Sequence, residues 1–164
     1  MNKITSLESL VHELTAALHD GGMERRPFLN LTTQEIDYWI DSAICGEDVV
    51  WPNYGDEVIE IEPISSHESF QAMEDFADNQ PREIAFQLQK ALNKRRPFAN
   101  FKLAVVALGI QGEWYDFQDE WYEKKAEEWL EYQEVYFKDG RIVTDSEPIT
   151  WSKEHERMCG DDLY

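Results

Sequence analysis

ALNKRRPFANFKLAVVALGIQGEWYDFQDEWYEKKAEEWLEYQEVY, residues 91–136, has the most regular hydrophobic pattern in the chain and its densest basic cluster. Four of the six tryptophans lie in this stretch or beyond it. Its second part predicts one helix over residues 112–136. At about 100° per residue, Trp114, Phe117, Trp121, Tyr122, Trp129, Tyr132 and Tyr136 fall on one broad side. Asp116, Asp119, Glu120, Glu123, Glu127, Glu131 and Glu134 fall on the other. No proline interrupts the run, and Ala126, Leu130 and the Glu and Lys residues favour helix. Each ring gains about 1.5–3 kcal/mol on leaving water, which predicts that the aromatic side is buried. Ordinary amphipathicity makes the acidic side a solvated face. A sharper alternative is that the carboxylate row is itself a binding surface.

Working back from that helix, Pro97 opens another at N1, with Phe98, Phe101, Val105 and Leu108 inward and Gly109 as the C′ stop. Pro81 opens one before it, lined by Ile84, Ala85, Leu88, Ala91 and Leu92. Ser65 and Glu68 fit a capping box ahead of the stripe Phe70, Met73, Phe76 and Ala77. The region before that has strand character. Phe28–Leu31 and Ile36–Ile40 flank the polar turn 32–35 and predict a hairpin. Residues 45–55 predict a loop, and 58–64 a third strand ended by Pro63. At the start, Leu7, Leu10, Val11, Leu14, Ala17 and Leu18 keep helical spacing, with Thr5 or Ser6 as cap and Gly21-Gly22 as stop. His12 and His19 read as surface residues on that helix.

Three strands need helix cover to be stable. The predicted fold is therefore α+β, a small antiparallel sheet of about three strands covered by four or five helices. Residues 1–22 form an N-terminal helix, 23–137 one α+β domain, and 138–164 a polar acidic tail. In that tail Lys138-Asp139-Gly140 can turn and Trp151 can anchor. Phe70, Phe76, Leu88, Phe101, Val105, Trp114, Trp121 and Trp129 are the predicted core. RRPFLN at 25–30 recurs as RRPFAN at 95–100. The flanks do not match; the first copy leads into a strand and the second into a helix, so this is coincidence and not duplication.

The chain has 15 basic and 34 acidic residues in 164, a net charge of −19. That balance argues against general affinity for nucleic acid or anionic membrane. It suits plain solubility, a basic partner, or imitation of nucleic-acid charge. Cys45 and Cys159 lie far apart and outside any metal spacing, as reduced cytosolic thiols do. The first residues lack a continuous apolar run and no stretch reaches membrane-span length. These features predict a soluble, cytoplasmic protein.

No GxSxG, Walker loop, GxGxxG or HExxH occurs. His155 and Cys159 are spaced as two potential ligands, too few for a zinc site. No metal or cofactor is expected. The basic cluster Lys94, Arg95, Arg96 and Lys102 straddles a helix start, where orphan N–H groups and the dipole favour anions. Pairing with the chain's own acids is the simpler role.

Three segments taken together resemble a known family. IEPISSHESFQAMEDFAD, ALNKRRPFANFKLAV and EWYDFQDEWYEKKAEEWLE follow in the order and spacing of its blocks. In this respect the chain is similar to the bacterial proteins grouped as uncharacterised protein family 0158, over residues 28–134. LNLTTQEIDYWI resembles that family's strand–turn–strand, with Gln34 where a glycine is usual. The motif positions are Met73, Glu74, Asp75, Phe76, Phe98, Phe101, Lys102, Trp114, Tyr115, Phe117, Asp119, Glu120, Trp129 and Leu130. Most are core aromatics. The resemblance implies membership and brings no activity. Glu74-Asp75, Lys102 and Asp119-Glu120 are expected to form a charged network across three helices, at least half-buried.

These readings point to a soluble, acidic, non-enzymatic binding or regulatory protein acting through protein contacts with an unidentified partner. One alternative is an anion- or small-ligand-binding protein or enzyme. Lys94, Arg95, Arg96 and Lys102 would grip the ligand, and Asp119 or Glu120 would serve as acid/base. A remote alternative is a nucleic-acid mimic, with Glu74, Asp75, Asp78 and Glu83 as a second acidic row.

Overall fold

The computed structural model describes residues 4–19, 25–40 and 51–156. Gly21-Gly22, Cys45 and Cys159 lie outside them, as does the first part of the loop read at 45–55. In chain order the elements are α1 (Leu7–His19), β1 (Arg25–Asn30), β2 (Glu35–Ile40), β3 (Glu57–Glu60), α2 (Ser66–Asp78) and α3 (Arg82–Leu92). Then come α4 (Pro97–Ala107), α5 (Gln111–Tyr132), β4 (Val135–Lys138), β5 (Arg141–Thr144), β6 (Ile149–Thr150) and α6 (Lys153–Glu156). The mixture is α+β with antiparallel pairing, as predicted. The chain divides into two units, one drawn from residues before Ile64 and after Tyr122, the other Ile64–Tyr122.

The sheet unit begins with the predicted hairpin: Arg25 lies opposite Ile40 and Asn30 opposite Glu35. β3 pairs with the other edge of β1, Leu29 opposite Ile59. It stops at Glu60, short of the predicted Ile64. The Ile61 N–H still reaches the Pro27 carbonyl at 3.0 Å. Pro27 has no N–H to return the bond, so the ladder ends there. The sheet has four strands in the order β2-β1-β3-β6, one more than predicted. The fourth comes from the region read as a tail, with Val58 opposite Ile149. α1 buries Leu10, Leu14, Ala17 and Leu18 and packs on β2. Ser6 caps it: its Oγ accepts from Ser9 N–H, and Ser9 Oγ accepts from Ser6 N–H.

β4 and β5 form a second, two-stranded sheet, joined through Asp139 and Gly140, both at positive φ. That is the geometry of the tightest hairpin turns, and it lies where Lys138-Asp139-Gly140 predicts one. α5 ends at Tyr132, four residues before the predicted end. Glu134 takes φ 55°, and the Gln133 carbonyl accepts hydroxyl bonds from Thr144 and Ser146, both at 2.9 Å. Tyr136 therefore sits on a strand. Tyr132, placed by periodicity on the inner face, is 84% exposed.

Gln34 holds this second hairpin to the β1–β2 turn. Its φ of 66° is the left-handed value that glycine usually supplies. The side-chain amide donates to the Leu31 carbonyl at 2.6 Å and to the Ile142 carbonyl at 2.9 Å, and accepts from Ile142 N–H. Gln34→Ala keeps the strained φ and strips both Ile142 groups of partners, so it is expected to cost about 1–3 kcal/mol. Gln34→Gly relieves the strain and should cost less. Urea denaturation of the two variants checks this: no loss in either would show that the amide bonds contribute nothing, and equal losses would show that the backbone strain does not.

The helical unit has α2 capped as predicted: Glu68 N–H donates to Ser65 Oγ, and Ser65 Oγ to Glu68 Oε1, both at 3.2 Å. Pro81 is the N-cap of α3, one place earlier than predicted, whereas Pro97 is at N1 of α4. α4 ends in a Schellman motif: Gly109 N–H bonds Val106 O at 3.0 Å and Ile110 N–H bonds Val105 O at 3.1 Å. Ile110 thereby enters the core in place of Leu108, which remains exposed. Met73, Phe76, Leu88, Leu92, Phe101, Val105, Ile110 and Trp114 close that core, with Phe70, Phe98 and Phe117 packed on it. Of the predicted core residues, Phe76, Leu88, Phe101, Val105 and Trp114 are buried, and Phe70, Trp121 and Trp129 are half-buried.

Candidate functional site

α4 has apolar residues all round. Phe101 and Val105 face the core, and Phe98 and Ala104 pack beside them. On the opposite side, Ala99, Leu103, Val106 and Ala107 recur at helical spacing and form a second stripe. Leu103 is 68% exposed and Val106 58%. An ordinary surface helix turns charge outward here. This outward stripe is the feature that sequence reading missed. The signal was present, because LAVVAL offers more apolar positions than one face can hold.

The predicted basic residues border that helix. Lys94, Arg95 and Arg96 occupy the α3–α4 turn and Lys102 lies on α4; all four are exposed and make no ion pair among the described residues. The expected pairing with the chain's own acids is not found there. Arg96 sits at φ 55° and ψ 61° immediately before a proline, a costly conformation. The Asn100 side chain holds it by donating to the Arg95 and Arg96 carbonyls.

Asp119 and Glu120 are exposed on α5, and Glu74 and Asp75 on α2. None of the four makes an ion pair among the described residues. The half-buried network expected from Glu74, Asp75, Lys102, Asp119 and Glu120 is thus not formed. Each side chain is on the solvent side of its helix, where hydration outweighs a pair. Asp78 and Glu83 are exposed too, and Asp78 accepts from Gln89 Nε2 at 2.8 Å. A groove of about 940 Å³ runs along α3, between Arg82, Phe86, Gln89 and Leu108. None of Lys94, Arg95, Arg96, Lys102, Asp119 or Glu120 lines it.

In the sheet unit the polar groups converge at Asn30 and Asp56, which sequence reading also missed. Asn30 Nδ2 donates to Asp56 Oδ2 at 3.0 Å, and Asn30 Oδ1 accepts from Thr32 and Thr33 N–H. Asp56 Oδ2 also accepts from Asn53 N–H at 3.1 Å. These bonds close two turns, so the pair serves the fold. Beside it Trp39, Trp51 and Trp151 pack in series, with centroid separations of 5.6 and 5.7 Å. The Arg26 guanidinium lies 5.5 Å from the Trp39 ring and pairs with Glu60 at 3.2 Å.

Asp37 stands on the edge strand β2, two residues from Glu35. Burial first, and then the Glu35 charge, raise its pKa above the ordinary carboxylate value. A carboxyl whose folded pKa is raised stabilises the fold below its unfolded pKa, and that stability is lost as pH rises through the folded pKa. Ionised Asp37 therefore weakens the fold at neutral pH. Asp37→Asn should raise neutral-pH stability by less than about 1 kcal/mol, given solvent screening. The gain should vanish as pH falls through the carboxylate range. Thermal melts across that range check the sign.

Among the described residues, no three His, Cys, Asp or Glu side chains are placed to hold a metal, and no helix is long and apolar enough to cross a membrane. A family model described as Uncharacterised protein family (UPF0158) matches residues 47–144. The match spans α2–α5, whose motif aromatics Phe76, Phe98, Phe101, Trp114 and Phe117 meet in one core. Comparisons with curated proteins and with solved structures yield no match.

Proposed function

The chain belongs to the Uncharacterised protein family (UPF0158), and from that premise we propose a non-enzymatic binding protein that acts through protein contacts in the cytoplasm. Its contact surface is the outer side of α4. One observation carries this reading: Leu103 and Val106 stand 68% and 58% exposed on a helix whose other side is core. Such side chains gain about 1.5–3 kcal/mol each when covered, and a partner helix or groove covers them. The ligand-binding alternative needs Lys102, Arg95 or Arg96 and Asp119 or Glu120 in one concave site. Those residues are all exposed, and the α3 groove contains none of them.

The test is affinity capture from extract with the wild type and with L103E/V106E. The wild type should retain reproducible partners that the variant loses, with the variant's melting temperature little changed. The same partners on both would remove this reading, as would a wild type that retains no partner and does not self-associate.

A further inference from the structure

We infer that the outer side of α4 is covered by α5 of a second copy of this chain, in a reciprocal two-fold contact; this rests on the protein-contact reading of that face. Charge is segregated between the stretch from α3 through α4 and the start of α5. Between residues 84 and 112 there are five basic residues, Lys90, Lys94, Arg95, Arg96 and Lys102, and no acid. Between 113 and 123 there are five acids, Glu113, Asp116, Asp119, Glu120 and Glu123, and no base. All ten are exposed, and none makes an ion pair among the described residues. The chain thus carries an apolar helix with basic residues in the turn that leads into it and at Lys102, and next to it an acidic helix start.

α5 also has an apolar contact point on its open side. Tyr115 is 58% exposed, and Asp119 stands one turn further along. It suits a stripe of leucine and valine bordered by Lys102. α4 and α5 follow one another across Gly109 and touch through Phe101 and Trp114, whose rings are 4.9 Å apart. A two-fold axis that lays α4 on the partner's α5 therefore lays α5 on the partner's α4. Reciprocity doubles the covered area, which matters because stable contacts need about 800 Å² per partner and one short stripe supplies less. The net charge of −19 disfavours a membrane or nucleic acid as occupant of the same face. For a second copy that repulsion is screened by salt over about 8–10 Å, while the local complement remains.

Sedimentation velocity tests the inference with charge-reversed variants of the full chain. R95E/K102E reverses charge on the α3–α4 turn and on α4, and D119K/E120K reverses it beside Tyr115 on α5. The wild type should be dimeric at tens of micromolar. Each variant alone brings like charges together twice and should dimerise at least about tenfold more weakly. An equimolar mixture restores opposite charges at both contacts and should dimerise again. Near-UV circular dichroism confirms that both variants fold. A wild type that stays monomeric, or a mixture no more dimeric than its components, overturns the inference. If capture from extract is nevertheless lost in L103E/V106E, the protein-contact reading stands and a different protein occupies the face.

Discussion

Phe101→Ala is expected to destabilise the helical unit by about 3–5 kcal/mol, the usual cost of emptying a phenylalanine site in a packed core. Phe101 has no exposed surface. Its ring meets Trp114 edge-on at 4.9 Å and Phe76 at 6.3 Å, and Phe76 in turn meets Trp114 at 5.2 Å. Alanine removes two of the three contacts in this triangle. Each aromatic pair adds about 0.5–1.5 kcal/mol beyond simple burial. Phe101→Leu fills most of the volume and should cost distinctly less. Urea denaturation followed by tryptophan fluorescence gives both values. A loss below about 1 kcal/mol for alanine, the range of ordinary substitutions, would place the core elsewhere.

Trp151→Ala is expected to cost as much, about 3–5 kcal/mol, although it lies in a stretch that reads as a polar tail. Its ring stacks on Trp51 at 5.7 Å within the cluster of Phe28, Trp39 and Val58. Its backbone is held as well: the N–H donates to Asp56 O at 2.8 Å, and the carbonyl accepts from Gly55 N–H at 2.9 Å. Ile149, two residues before it on β6, is 43% exposed, and Ile149→Ala should change stability by no more than about 0.5 kcal/mol. Chemical denaturation of the two variants separates a specific anchor from general sensitivity of the segment. A chain ending before Glu147 that melted with the full-length protein would refute the anchor.

The two RRPF copies show how far local sequence reaches. Arg25–Asn30 is a strand, and Pro97 opens a helix. Four identical residues do not choose between these states; the residues after them do. Leu29 and Leu31 continue an alternation with period two, while Phe101 and Val105 continue one of 3.6. Patterns of this kind are carried by neighbours along the chain, so local sequence is enough for the existence of α1–α5, the N-caps of α1 and α2, both ends of α4, the first hairpin and the aromatic core of the helical unit. It also pointed to the Asp139-Gly140 turn and to Trp151 as an anchor.

What it did not hold is anything set by distant partners. β3 ends where Pro27 lacks an N–H, and Gln34 accepts a glycine-like φ because Ile142 is there to receive its amide. Residues 149 and 150 become a strand only because Glu57 and Val58 offer them an open edge. The candidate site has the same origin. Sequence marked Lys94, Arg95, Arg96, Lys102, Asp119 and Glu120 as charged, but whether they meet depends on which way each helix turns. Burial of Phe101 and Val105 decides that for α4, sending Leu103 and Val106 outward. An apolar residue's place inside or outside is settled by what packs against its helix, and that is a property of tertiary structure.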